Sequence, residues 1–159
     1  MITFITGDIL KAEVEALINP VNCVGVMGKG LALEFKKAYP DNYTAYKAAC
    51  VVGMIEVGSM FWFKLCDTTP TEFKVYPRFI VNFPTKQHWK KPSKLVWIGD
   101  GLAALREDIK VYGIKSIAIP RLGCGLGGLD WAVVRKMIEA EFDGFDCDVG
   151  FDCDVRVYE

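Results

Sequence analysis

Glycine punctuates this chain at two places. Gly25, Gly28 and Gly30 follow Asn22, and Gly123, Gly125, Gly127 and Gly128 follow Pro120, each group standing between an apolar run of strand character and a segment of helical period. Strand–glycine–helix junctions are where open α/β sheets bind their ligands. The rest of the chain agrees. Strand-like runs recur at Ile2 to Thr6, Ala16 to Asn19, Met60 to Leu65, Phe79 to Phe83, Ile114 to Pro120 and Val155 to Tyr158. Helical periodicity marks Leu31 to Ala38, Tyr43 to Cys50, Leu95 to Val111 and Trp131 to Phe142. In the last of these, Val134, Met137, Ile138 and Phe142 form one stripe and Asp130 is placed to cap the N-terminus. Alternation of this kind predicts an α/β fold, a mostly buried mixed sheet sandwiched by helices.

At 159 residues the chain is long enough for one core and too short for two ordinary domains, so residues 1–159 are expected to form a single domain. No run approaches the ~20 apolar residues of a membrane helix, and MITFITGDIL lacks the pattern of a signal peptide, which gives a cytoplasmic expectation without membrane association. The six cysteines are scattered with no C-x-x-C pair, an arrangement that suits reduced thiols better than a metal site or a disulfide framework. The formal net charge is −1, so contact with nucleic acid must come from a local patch.

Backbone N–H groups of the second glycine loop can converge on an anion, with the dipole of the following helix adding attraction, which suits a diphosphate. Gly123, Gly125 and Gly128 also satisfy the spacing of a dinucleotide-binding fingerprint, but that fingerprint opens repeated β-α-β units, and here only one helix and one strand follow. The first loop, Gly25-Val26-Met27-Gly28-Lys29-Gly30, fails the nucleoside triphosphate P-loop on glycine spacing and on the residue after the lysine. Two glycine loops facing one crevice would hold a ligand with a central diphosphate and a sugar at each end.

Four segments taken together, Thr6-Gly7-Asp8-Ile9, Ile18-Asn19-Pro20-Val21-Asn22, Gly28-Lys29-Gly30-Leu31-Ala32 and Pro120 through Leu129, resemble a macrodomain (the Appr-1-p processing family) in order and over nearly the whole chain. Within it, Asn82-Phe83-Pro84-Thr85-Lys86-Gln87-His88-Trp89 resembles the DarG-type DNA ADP-ribosyl glycohydrolases and the related terminal ADP-ribose protein glycohydrolase. The resemblance implies a three-layer α/β/α sandwich and ADP-ribose as ligand or product, with no cofactor. It also implies ADP-ribosylated DNA as substrate, thymine bases of single strands first among them, and a DNA ADP-ribosyltransferase toxin as partner. By the same resemblance Asp8 accepts from the adenine amino group with the Ile9 backbone beside it, Gly123, Cys124, Gly125, Leu126 and Gly127 cradle the diphosphate, Asn22, Gly28, Lys29 and Gly30 border the distal ribose, and Thr85 is a further substrate-binding residue. Read alone, Asp8 caps the following turn and Asn22 satisfies loop backbone.

Lys86 is the catalytic residue implied. The carbon at which the bond breaks, the anomeric carbon of the distal ribose, is open to an amine once the sugar ring can open, and a lysine can form the imine. Such a lysine must be neutral, which predicts a pKa lowered by desolvation or by neighbouring Lys29, Lys90 or Lys91. Related protein glycohydrolases carry an acid in the second glycine loop where this sequence has Gly127, with Asp130 three residues on, so the general acid is left unassigned. Around Lys86, the stretch Arg78, His88, Trp89, Lys90, Lys91 and Lys94 reads either as a nucleic-acid contact or as an exposed helix lead-in. The tandem Gly144-Phe145-Asp146-Cys147-Asp148-Val149 and Gly150-Phe151-Asp152-Cys153-Asp154-Val155 reads as local duplication in a tolerant loop.

Three alternatives stand beside a DNA-directed hydrolase: a hydrolase of protein-linked ADP-ribose or ADP-ribose-1″-phosphate, a non-catalytic ADP-ribose-binding module, and a toxin-neutralising partner. DarG proteins usually carry a further domain, whereas this chain ends at Glu159. It is expected to be either an excised domain or a monomer working alone in phage or mobile-element defence.

Overall fold

The computed structural model describes residues 1–65, 75–144 and 152–159; Cys66, Cys147 and most of the duplicated tail lie outside them. The strands are β1 (Ile2–Ile5), β2 (Ala16–Asn22), β3 (Phe61–Lys64), β4 (Phe79–Lys86), β5 (Ser116–Ile119) and β6 (Asp154–Tyr158). The helices are α1 (Gly30–Ala38), α2 (Pro40–Val51), α3 (Leu95–Tyr112) and α4 (Trp131–Phe142), with one 3-10 turn at Ile9–Lys11. The sheet order is β1-β6-β5-β2-β4-β3, and every pairing is parallel except that of the edge strand β3 with β4. On one face Val81, Phe83 and Ile117 meet Ile98, Leu102 and Leu105 of α3 and Val134 and Ile138 of α4. On the other face Leu17, Ile80 and Ala118 meet Phe35 of α1, while Tyr46 and Ala49 of α2 pack on Val21 and Met27. Helices therefore cover both faces, as a parallel sheet requires.

Hydrophobic periodicity locates these six strands and four helices, and its bounds are least accurate at prolines. β2 continues through Pro20 and β4 through Pro84, where the sequence suggests that each strand stops. Pairing of β2 with β5 ends at Leu17, so beyond it that side of β2 has no ladder to interrupt and a proline is tolerated. α2 starts at Pro40, three residues before the expected Tyr43, because proline at the first helical position lacks an N–H that would go unused there.

Beneath the strand ends lies a fully buried knot of amides. Asn19 and Asn82 face each other across β2 and β4, and Asn42 joins them from α2. The Nδ2 groups of Asn19 and Asn42 donate to Asn82 Oδ1 at 3.1 and 3.2 Å, and Asn82 Nδ2 returns a bond of 2.8 Å to Asn42 Oδ1. Buried amides are costly unless paired. Their mutual bonds fix the relation of the two strands that carry the site.

Candidate active site

Because β1, β6, β5, β2 and β4 are parallel, their carboxyl ends lie along one edge of the sheet, and a cleft of about 1000 Å³ opens there. β2 contributes Pro20, Val21 and Asn22, β4 contributes Thr85 and Lys86, and the loop after β5 contributes Pro120, Arg121 and Gly123 to Gly127. The ends of β1 and β6 close the far side with Gly7, Asp8, Ile9, Tyr158 and Glu159. α1 presents Gly30, Leu31 and Ala32 to the same cleft, and its N-terminus has no side-chain cap, so its first N–H groups are left to an anion. The sequence alone points to a different helix for this role, the one after the second glycine loop. That helix, α4, is instead capped by Asp130, whose carboxylate accepts from Ala132 N at 2.9 Å, and its first turn lies outside the cleft.

Lys86 sits where β2 and β4 part. Val21 pairs with Pro84 but Asn22 pairs with Lys86, so Thr85 is the extra residue of a β-bulge, a feature that redirects side chains at a sheet's rim. The lysine is only 9% exposed. Its Nζ donates to the carbonyl oxygens of Leu126, at 3.3 Å, and Trp89, at 3.4 Å. Among the described residues no carboxylate pairs with it. Burial, one of the two causes the sequence offers, pushes its pKa below the ordinary lysine value. The outcome is an amine that gives up its proton more readily than a surface lysine does.

Each glycine loop is held by a different device. In the first, Asn22 donates from Nδ2 to Val26 O at 2.7 Å, and its Oδ1 accepts from the backbone N–H groups of Val24 and Val26. The Tyr46 hydroxyl lies 2.6 Å from the Asn22 carbonyl oxygen, tying the loop to α2. In the second loop Ser93 N donates to Gly127 O at 3.0 Å, and Leu129 N to Gly123 O at 3.0 Å. Gly127 has no room for a side chain, since a Cβ there would overlap Ser93 Oγ and the Gly123 carbonyl oxygen. Gly123 has φ +69° and a Cβ on it would lie 2.8 Å from Leu129 Cδ1. Loop and pocket wall are thus built on glycine.

The Macro domain family model matches residues 18–138. This chain belongs to the macrodomain family. It is 49% identical over 142 residues to a DNA ADP-ribosyl glycohydrolase of Mycobacterium tuberculosis, an alignment covering 89% of this chain and 39% of that protein. Its structure matches the macrodomain of Thermus aquaticus DarG with a TM-score of 0.89 and 43% identity, covering 100% of this chain and 98% of that one. It also matches Thermosipho africanus DarTG, solved in complex with ADP-ribose, with a TM-score of 0.81 and 33% identity over 98% of this chain and 41% of that one. The macrodomain spans about two fifths of the length of the curated relatives it matches.

The macrodomain brings together Asp8, Ile9, Asn22, Gly28, Lys29, Gly30, Thr85, Lys86, Trp89, Lys90 and Gly123 to Gly127 around one cleft. His88 is not among its lining residues; its ring stacks on Trp89 at 5.6 Å, and its Nδ1 accepts from Lys90 N. Asp8 does cap the following turn, accepting from Leu10 N at 3.0 Å through Oδ1, which leaves its second oxygen for a ligand. The Asn22 side chain is used in loop bonds, so this residue shapes the pocket before it can touch a sugar. Pro20, Val21, Arg121, Tyr158 and Glu159 also line the macrodomain's cleft; the first three stand inside motifs that carry the resemblance, with no role read for them there, and Tyr158 and Glu159 lie outside every motif. All stand at or just past the carboxyl ends of parallel strands, and that rule applied to every predicted strand would have found them. Among the described residues no group of three or more His, Cys, Asp or Glu could hold a metal, and no helix is long and apolar enough to cross a membrane.

Proposed function

We propose that this macrodomain releases ADP-ribose from modified DNA, with Lys86 as nucleophile. The observation that carries this reading is the near-buried Lys86 amine between the two glycine loops, bonded among the described residues to carbonyl oxygens alone. The cradle of Gly123 to Gly127 and the α1 N-terminus suit a diphosphate, and Asp8 beside Ile9 suits an amino-bearing base at the far end. ADP-ribose bound in this way would place its distal ribose toward Lys86.

Neutral Nζ attacks the anomeric carbon, forming a C–N bond as the bond from that carbon to the nucleobase breaks. The proton Nζ sheds on alkylation is taken up by the departing base, so the step asks for no carboxylate in the second loop, where Gly127 leaves no space for one. Ring opening gives an imine, and water hydrolyses it to free ADP-ribose and the regenerated amine. No metal or organic cofactor enters this scheme. A relative in Thermosipho africanus, 37% identical, is a fusion of DNA ADP-ribosyl transferase and DNA ADP-ribosyl glycohydrolase, which supports a DNA-modifying toxin as the partner whose product this domain removes.

The test is release of ADP-ribose from single-stranded DNA carrying it on thymine, run beside an ADP-ribosylated protein. Release from the DNA is expected. Release from protein alone would reassign the substrate, and tight ADP-ribose binding with no release from either would make this a binding module.

A further inference from the structure

Between Val75 and Gly99 the sequence holds Arg78, Lys86, Lys90, Lys91 and Lys94 without one Asp or Glu, in a protein whose formal net charge is −1. Lys86 is consumed by the site and Arg78 pairs with Glu15 at 3.1 Å. Lys90, Lys91 and Lys94 are exposed on the connection between β4 and α3, and among the described residues none makes an ion pair. The connection is an ordered turn: Lys90 N donates to His88 Nδ1 at 3.1 Å and Lys91 N to His88 O at 3.0 Å. At its start Trp89 turns its backbone carbonyl to Lys86 Nζ while the residue is 49% exposed at the cleft mouth. Lys90 Nζ lies 5.0 Å from the centre of the Trp89 ring and Lys94 Nζ lies 4.9 Å from that of Trp97.

We infer that the connection from His88 to Lys94 is a docking strip for single-stranded nucleic acid, with Trp89 stacking a base next to the reacting nucleotide and Lys91 and Lys94 taking flanking phosphates. This deepens the DNA reading of the site and rests on it for its direction. Cations that lack local acids match a polyanion, and indole faces match bases regardless of sequence. A stacked base outcompetes an exposed cation–π contact, so Lys90 leaves the indole face and becomes free to meet phosphate. The shared position of Trp89, half exposed at the cleft and with its carbonyl on Lys86, links strand docking to the catalytic amine.

The test is fluorescence anisotropy with an unmodified, thymidine-rich single strand, which needs no turnover and so can succeed even if the hydrolase reading fails. Lys91→Gln/Lys94→Gln should weaken strand binding roughly tenfold at about 50 mM salt. The double variant should also flatten the plot of log affinity against log salt by roughly 1.4, about 0.7 for each single-strand phosphate that no longer meets a lysine. Neither residue lines the cleft, so calorimetric affinity for ADP-ribose should not change. Trp89→Ala should weaken the strand while Trp89→Phe restores most of its binding. Equal strand affinity and salt slope in wild type and double variant would overturn the inference, as would no wild-type binding at that low salt. Equally tight, equally lysine-dependent binding of a poly-glutamate peptide would overturn it too, by assigning the strip to acidic proteins instead.

Discussion

Lys86→Ala is expected to slow ADP-ribose release by at least on the order of 10⁴-fold, the scale of loss when a covalent enzyme is deprived of its nucleophile. The proposed diphosphate cradle loses one bond, from Lys86 Nζ to Leu126 O, and keeps those from Ser93 N to Gly127 O and from Leu129 N to Gly123 O, so ADP-ribose affinity should stay within a few-fold of wild type in calorimetry. Folding should survive as well, because the two carbonyl oxygens that lose a donor border an open cleft and can bond to water. The pH profile expected of the proposed reaction follows from the direction of the lysine shift. Burial disfavours the ammonium, so the pKa lies below the ordinary 10.5 and the reactive neutral amine accumulates at lower pH than on a surface lysine. Log kcat/KM should rise with pH and level off above that lowered pKa, with no falling limb from a second-loop acid. A profile flat through this range would separate Lys86 from the rate-determining chemistry.

Gly127→Asp should have the next largest effect. The substitution supplies the acid that related protein glycohydrolases carry in this loop, and the packing forbids it. Its Cβ would overlap both Ser93 Oγ and the Gly123 carbonyl oxygen, and Ser93 cannot retreat freely because it is 5% exposed and its N–H is bonded to Gly127 O. Overpacking of this kind costs about 1–3 kcal/mol. For a chain of this size each kcal/mol lowers Tm by roughly 2–4 °C. The loop relieves the overlap by moving, and Leu126 O, the nearer of the two lysine acceptors, moves with it. ADP-ribose affinity should fall at least roughly tenfold and release should fall further. Adding Ser93→Ala should recover part of the stability and not all of it, since the overlap with Gly123 O remains. An unchanged Tm and unchanged affinity in Gly127→Asp would show that the loop has more freedom than its packing indicates.

Much of the molecule is legible in its sequence. Strand and helix order follow from hydrophobic periods, because buried parallel strands are continuously apolar and α3 and α4 keep one apolar stripe. The two glycine loops announce the cleft side of the sheet, and the segment that contains Lys86 supplies the near-buried amine in that cleft. Other features depend on contacts between residues far apart in the chain. The bulge at Thr85 exists only in the register of β4 against β2. Asn19, Asn42 and Asn82 look like loop residues one at a time and become a core element only when three elements meet. The prohibition at Gly127 comes from Ser93, on the far side of α3 and β5 in the chain, and glycine alone does not reveal what it is making room for. His88, grouped by sequence with the site, faces Trp89 because the turn that follows uses its ring nitrogen.

The mechanism turns on a covalent bond between Lys86 and the sugar during turnover. Sodium borohydride added to enzyme and ADP-ribosylated DNA reduces an imine to a stable secondary amine, and peptide mass spectrometry locates it. A reduced ADP-ribose adduct is expected on the peptide containing Lys86, growing with turnover and absent from Lys86→Ala. Full release of ADP-ribose under the same conditions with no adduct on Lys86 would contradict the covalent mechanism.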